Sequence, residues 1–244
     1  MSAKKRLDVL LVERGLADTR SQAQALVLAG RVKGHSKAGE QIDEAAQLEV
    51  VAGARFVSRG GEKLAAALEQ LEVDVSGEDV LDVGASTGGF TDCLLQAGAA
   101  RVIALDVGYG QLHPKLREDP RVTVLERTNV RDLRCDDLPY RPTFLVADVS
   151  FIGLAKAFPP ALACAAPGWR ALALVKPQFE AGPADVGKGG VVRDPEVHRR
   201  VVDDVVARAP EWGARVLGVA ESPVRGPKGN REFFVSLADT GEPA

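Results

Sequence analysis

Cysteine, histidine and long apolar runs are all scarce in this 244-residue chain, and each scarcity closes off a class of protein. Three cysteines, Cys93, Cys135 and Cys164, are too few and too scattered to predict a disulfide framework or a zinc site. His35, His113 and His198 are equally dispersed, so no metal is expected. No window of 18 apolar residues exists, and the longest uncharged candidate, Ala157 to Trp169, is broken by Pro159, Pro160 and Pro167. Lys4, Lys5 and Arg6 lead into only a short apolar run interrupted by charge, which is not a signal-peptide pattern. These absences predict a soluble protein of a reducing, cytoplasmic compartment that acts without a membrane and as a monomer.

What is present describes a folded chain. It is 45% hydrophobic and 27% charged, apolar enough for a packed core. Its length fits one large domain and one small one, expected at residues 58–244 and 1–53 with a linker at 54–57. The net charge of −3 argues against a uniformly basic nucleic-acid coat, but its distribution is uneven. Residues 1–59 hold ten lysines and arginines against seven carboxylates, and the remainder is acidic.

The most informative stretch is Asp82-Val83-Gly84-Ala85-Ser86-Thr87-Gly88-Gly89-Phe90. Asp79-Val80-Leu81 before it suits a buried strand, and Thr91 to Gln96 after it reads as a helix closed by Gly98. Strand, glycine-rich turn and helix form the first unit of a doubly wound sheet, where ligands sit outside the carboxyl ends of the strands. The glycine spacing differs from the Gly-x-Gly-x-x-Gly of dinucleotide binders. A helix N-terminus aimed at pyrophosphate attracts anions, whereas Asp82 favours a cation such as S-adenosylmethionine, whose amine and sulfonium are positive. Arg101 to Leu105 reads as a second strand ending in Asp106, 24 positions beyond Asp82, where a carboxylate reaches a ribose diol. NAD is the competing ligand, and a tight turn with no ligand is the plainer alternative.

Alternation continues through strands at Val122–Leu125, Phe144–Ser150, Arg170–Glu180 with Lys176 at its C-terminal tip, Arg215–Val219 and Glu232–Leu237, with helices near 154–165 and 195–208. The pattern predicts an α/β fold: a Rossmann-like seven-stranded sheet with its last strand antiparallel, behind a small N-terminal α+β domain. Gly182 to Gly190 reads as a glycine-rich loop suited to a lid. Asp148, Lys176 and Glu232 fall where strand tips converge, and Lys63 enters from the helix before the first strand. A lysine ending a buried strand can serve as a base, although neighbouring carboxylates oppose the loss of its proton. Each of the four taken alone is equally an ion-pair member. Gly60-Gly61 at a helix start after Ser58 implies close backbone approach.

In the small domain, Leu7 to Val12 builds a helix closed by Gly15, and Thr19-Arg20-Ser21-Gln22 reads as a capping box opening a second helix that stops at Gly30. Strands are expected at Arg31-Val32-Lys33 and at Gln47 to Val51. The runs Leu10 to Leu16 and Ser21 to Val32 resemble the ribosomal-protein-S-four-like RNA-binding domain, which implies RNA contacts from Lys4, Lys5, Arg6, Arg20, Arg31 and Lys33. Aromatics are 5% of the chain and nearly absent here, so contacts to phosphate and RNA shape are expected rather than base stacking. A protein-binding helical hairpin is the alternative.

Residues 4–238 as a whole resemble the TlyA family, an FtsJ-like ribosomal RNA 2′-O-methyltransferase domain behind an S-four-like domain. The resemblance rests on Val57-Ser58-Arg59-Gly60-Gly61-Glu62-Lys63-Leu64, the Asp82 to Asp92 stretch, Ala147-Asp148-Val149-Ser150-Phe151-Ile152, Leu174-Val175-Lys176-Pro177-Gln178-Phe179-Glu180 and Gly229-Asn230-Arg231-Glu232-Phe233. It implies a catalytic tetrad of Lys63, Asp148, Lys176 and Glu232. It also implies an S-adenosylmethionine site at Asp82, Gly84, Ser86, Thr87, Gly88, Gly89, Phe90, Asp106, Asn129 and Val130, with Arg59 added to the RNA contacts. The implied substrate is the cytidine ribose 2′-hydroxyl of ribosomal RNA, free or in ribosomal subunits. The turn Gly34-His35-Ser36-Lys37-Ala38 departs from the family pattern. Two other readings stand beside this one: a membrane-active haemolysin-type protein, and a non-catalytic RNA-binding ribosome-assembly factor.

Overall fold

The computed structural model describes residues 4–51 and 53–241; Ala52, near the end of the expected small domain, lies outside them. Contacts divide the chain into two units that meet in sequence between Arg55 and Phe56.

In the first unit, strand β1 (Lys4–Arg6) pairs antiparallel with β2 (Gln41–Asp43) beside helices α1 (Leu7–Glu13) and α2 (Arg20–Leu28). Leu7, Leu10, Leu11, Ala23, Val27, Val32 and Ile42 form its core, so both helices bury one stripe at helical spacing. Thr19 caps α2 by accepting from Gln22 N at 3.2 Å. Gln22 returns its side chain to Asp18 N at 2.7 Å rather than to Thr19, so the expected capping box closes one residue earlier. The two expected strands reduce to a single bridge between Val32 and Val50.

The second unit is a seven-stranded sheet. Its strands are β3 (Asp79–Val83), β4 (Arg101–Leu105), β5 (Val122–Leu125), β6 (Phe144–Ala147), β7 (Arg170–Val175), β8 (Ala214–Glu221) and β9 (Phe233–Asp239), in spatial order β5-β4-β3-β6-β7-β9-β8. The first five are parallel, and β9 runs antiparallel to both neighbours. Order reverses between β3 and β6, the switch point at which such sheets bind ligands. The two-residue period of each strand divides the core into two layers. Leu81, Val83, Ile103, Leu105, Leu145 and Ala147 face α6 (Leu154–Ala163) and α8 (Pro195–Arg208). Val80, Val102, Phe144, Val146, Leu172 and Phe234 face α3 (Arg59–Gln70) and α4 (Gly89–Gln96). Two short helices, α5 (Pro114–Arg117) and α7 (Pro177–Glu180), complete the unit.

The paired glycines at the start of α3 mark where it meets α4. A Cβ on Gly89 would lie 2.2 Å from Ser58 Oγ and 2.9 Å from Gly61 N, so only glycine lets the two helix starts touch. Cys135 and Cys164, among cysteines read as too few and too scattered for a disulfide framework, form a disulfide across 29 residues with Cα atoms 4.8 Å apart. The fold brings the turn at 135–137 against the end of α6, a proximity that linear spacing does not reveal. The 182–190 loop, expected as a lid, is fastened: Lys228 Nζ donates to Gly189 O at 2.8 Å and Asn230 Nδ2 to Gly190 O at 2.9 Å. Among the described residues no helix is long and apolar enough to cross a membrane.

Candidate active site

Two cavities open at the carboxyl ends of the parallel strands, and both are lined by Gly84, Ser86 and Asp148. Gly84 leaves β3 at φ +86°, and a Cβ there would sit 2.6 Å from Asp148 O. The β3–α4 turn can therefore press against the end of β6 only with glycine at this position.

The larger cavity encloses about 760 Å³, a size ordinary for a small-molecule site. Asp106 at the tip of β4 lines it, with one oxygen accepting from Ser86 N and the other from Gly108 N, each at 2.7 Å. Val107, Asn129, Val130, Phe151 and Ile152 continue the wall. This wall suits a ligand with a diol and a flat apolar ring: a carboxylate for the hydroxyls, and valines beside it for the ring. Of the expected cofactor residues, Gly84, Ser86, Asp106, Asn129 and Val130 line this cavity, whereas Thr87, Gly89 and Phe90 line the smaller one. Gly88 lines neither and caps α4 at φ +93°.

Asp82 requires a correction. It was expected to face a cationic ligand, but it is fully buried and lines neither cavity. Asp82 shares Val80's side of β3 and points toward α4, where Thr91 Oγ1 donates to its Oδ2 at 2.6 Å. Burial pushes its carboxyl up to about 7, opposed by the Thr91 bond and reinforced by Asp148 and Asp106. Asp82 thus fastens the turn from beneath, and Asp106 is the strand-tip carboxylate that lines the larger cavity.

The smaller cavity, about 250 Å³, is lined by Arg59, Lys63, Asp148 and Lys176. The four tetrad residues resolve into two lysine–carboxylate pairs. Lys63 Nζ lies 2.5 Å from Glu232 Oε2, with Glu232 fully buried behind it and receiving Gln178 Nε2 at 3.3 Å. Lys176 Nζ pairs with Asp148 Oδ1 and donates to Ser150 Oγ at 3.0 Å. Both lysines are only 8% exposed, so each amine is held beside the cavity by its acid rather than sweeping through solvent. Such pairs orient a group more than they stabilise a fold.

Ser150, Phe151 and Phe179 escaped the sequence reading as site residues. Phe151 is 92% exposed at φ +66° and packs on Phe179 with ring centroids 5.2 Å apart. A non-glycine residue held in this region stores strain of about 1–2 kcal/mol. The signal was available, since Ser150 follows Asp148 by two and Phe151 stands inside the same quoted motif.

The N-terminal cations have structural employment. Arg6 and Arg20 both donate to the buried Asp8, Lys5 pairs with Glu13 and Glu44, and Lys33 pairs with Glu49. Arg31 Nε donates to Val51 O at 3.0 Å. Lys4 is exposed at the start of β1.

Comparison with known proteins agrees with this geometry. The model of the FtsJ-like methyltransferase family matches residues 56–239, and that of the S4 domain matches residues 5–33. The chain is 47% identical to the 16S/23S rRNA (cytidine-2′-O)-methyltransferase TlyA of Mycobacterium tuberculosis, covering 97% of this chain and 91% of that protein. It is 40% identical to Hemolysin A of Brachyspira hyodysenteriae, over 94% and 98% of the two chains. A solved structure described as a hemolysin from Streptococcus thermophilus superposes with a TM-score of 0.76 at 42% identity, covering 100% of this chain and 91% of that one. An O-methyltransferase from Bacillus cereus, solved in complex with SAH, shares the fold at a TM-score of 0.51 and 19% identity, over 77% and 84% of the two chains. With 91% or more of both full-length relatives matched and two lysine–carboxylate pairs beside the ligand crevice, the chain belongs to the TlyA family of FtsJ-like methyltransferases.

Proposed function

We propose that this protein methylates cytidine ribose 2′-hydroxyls of ribosomal RNA, using S-adenosylmethionine as donor and acting as a cytoplasmic monomer on ribosomal RNA or its particles. One observation carries the reading: two buried lysine–carboxylate pairs border a small cavity that shares Gly84, Ser86 and Asp148 with a large one. That arrangement supports a donor seated in the large cavity and an acceptor oxygen presented in the small one.

The donor supplies a methyl carbon bound to positively charged sulfur. Asp106 would hold its ribose hydroxyls, and Val107 and Val130 would flank its base. Lys176, steadied by Asp148 and Ser150, would aim its nitrogen at the acceptor hydroxyl and, in its neutral amine form, would accept the hydroxyl proton while the methyl group passes from the donor's sulfur to the 2′-oxygen. Lys63, fixed by Glu232, holds the ribose in line. Neither acid touches the reacting atoms, so both act through the lysine beside them. Much of the acceleration comes from positioning two bound reactants, with proton acceptance worth about 10²–10⁴-fold.

Replacement of Lys176 by alanine tests this. Methyl incorporation from radiolabelled donor into ribosomal subunits is expected to fall by about 100-fold or more, while donor affinity by calorimetry stays at the wild-type value. Undiminished incorporation removes Lys176 from the chemistry.

A further inference from the structure

A second cationic surface lies at the rim of the smaller cavity, made by two loops. Residues 186–193 and 222–231 together contain five lysines and arginines and no carboxylate, in a chain whose net charge is −3. Arg225 and Arg231 face Glu221. Lys188, Arg193 and Lys228 have no carboxylate partner among the described residues, and Lys228 spends its donor on a carbonyl, Gly189 O, which leaves its charge uncompensated.

The two loops are fastened into one body. Asn230, only 2% exposed, accepts from Val192 N at 3.1 Å and donates to Gly190 O at 2.9 Å and to Pro227 O at 3.2 Å. His198 Nε2 donates to Val192 O at 3.0 Å from beneath. Above this latch, Gly189 and Gly190 have no atom within 4 Å of a would-be Cβ, so the tip is open to a bulky partner. Pro227 also lines the small cavity with Arg59, Lys63 and Lys176. The second loop therefore reaches the cavity at Pro227, one residue before Lys228.

We infer that this loop pair is the phosphodiester-binding rim of the site, gripping the RNA strand on either side of the reacting ribose through Lys188, Arg193 and Lys228. The inference rests on the proposed function and extends it. A ribose that presents its 2′-hydroxyl to Lys176 brings its own two phosphates to the cavity mouth, and those charges need cations there. A fastened rim binds them with little loss of loop freedom. Contacts to phosphate position a strand without reading its bases, so the rim sets affinity and register while the cavity sets chemistry.

The test is binding of isolated ribosomal RNA across a salt series, with Lys188→Glu, at an exposed position, and with the double variant Lys188→Glu/Lys228→Glu. Affinity is expected to fall about tenfold for the double variant. The slope of log affinity against log salt should lose about 0.7–0.9 per contact removed. Donor affinity should match wild type in both variants, and the melting curve should match it in Lys188→Glu. Unchanged RNA affinity and salt slope in both variants overturn the inference. So does a loss confined to phosphatidylserine vesicles, which assigns the rim to a lipid surface. Direct RNA binding decides the rim whether or not methyl transfer is seen, whereas a wild-type protein that binds RNA and transfers no methyl group sinks the proposed function instead.

Discussion

Asp8 in the small unit and Asp82 in the large one are both fully buried, yet their surroundings treat a negative charge in opposite ways. Asp8 receives Arg6 at both oxygens, Arg20 at 3.0 Å and Gln24 at 2.9 Å. The Arg6 guanidinium, more than the others, holds its carboxyl well below the usual range. Asp82 has only Thr91, through its hydroxyl and its backbone N–H, and among the described residues its Oδ1 has no partner. Burial therefore dominates and pushes it up to about 7. Partners, not depth, decide whether a buried acid is charged. The same lesson applies to the cations: Arg6 and Arg20 look like RNA contacts in the sequence, but in the fold they first serve Asp8.

The largest effect that would sharpen this contrast is expected at Asp82. Its folded-state value lies above its unfolded one, so the folded protein keeps a proton that the unfolded chain releases. The stability this confers is fully present below pH about 4 and is lost as pH rises through about 7. Asp82→Asn removes the titrating group and keeps an acceptor for Thr91. Between these limits the wild type should lose on the order of 4 kcal/mol relative to the variant. Urea melts at matched pH values measure it, and parallel curves for the two proteins would break the contrast.

Asp8→Asn should act in the other direction and on the other unit. It leaves two arginines facing a neutral amide, at a cost of about 2 kcal/mol, the low end for a buried charged bond because both arginines reach solvent. A unit of some 55 residues has little stability to spare. Amide exchange in α1 and α2 should therefore quicken, while exchange in β3, β6 and β7 is unchanged. Wild type should reproduce the loss only in acid, as pH falls below the ordinary carboxylate range and Asp8 takes up its proton. Protection in α1 that ignores both the substitution and acid would refute the charged reading of Asp8.

The orientation of Asp82 was legible in the sequence and was misread. In a strand, Leu81 and Val83 share one face and Val80 and Asp82 the other, so an aspartate at that step looks toward the following helix, not out of the strand end. Asp106 and Asp148 differ because each stands one residue past its strand, β4 and β6, where alternation no longer governs. The large sheet was readable because buried parallel strands are unbroken apolar runs such as Leu172 to Val175. The small sheet was not, since Lys-Lys-Arg in β1 carries no apolar alternation and its pairing with β2 depends on residues some 37 positions away. Lysine–carboxylate partnering was equally hidden: Lys63 and Glu232 are 169 residues apart, and only the antiparallel placement of β9 beside β7 brings the glutamate to α3.

Lys33 offers the smallest and cleanest separation of structural from RNA-facing charge. Its partner Glu49 is as exposed as it is, at 66% against 69%, and a solvent-screened pair of this kind contributes little to folding. Lys33→Gln should leave the melting curve and the α1 amide protection as they were, unlike any change at Asp8 or its arginines. If the small unit holds RNA through phosphates, affinity for ribosomal RNA should still drop a few-fold, and the salt slope should ease by about 0.7–0.9. Glu49→Gln then becomes the decisive companion, because it releases the same lysine from its acid and should raise affinity by a similar factor. If neither substitution moves RNA binding, this face of the small unit is not where RNA rests, and cations tied to carbonyls at the catalytic rim matter more than cations tied to acids at the N-terminus.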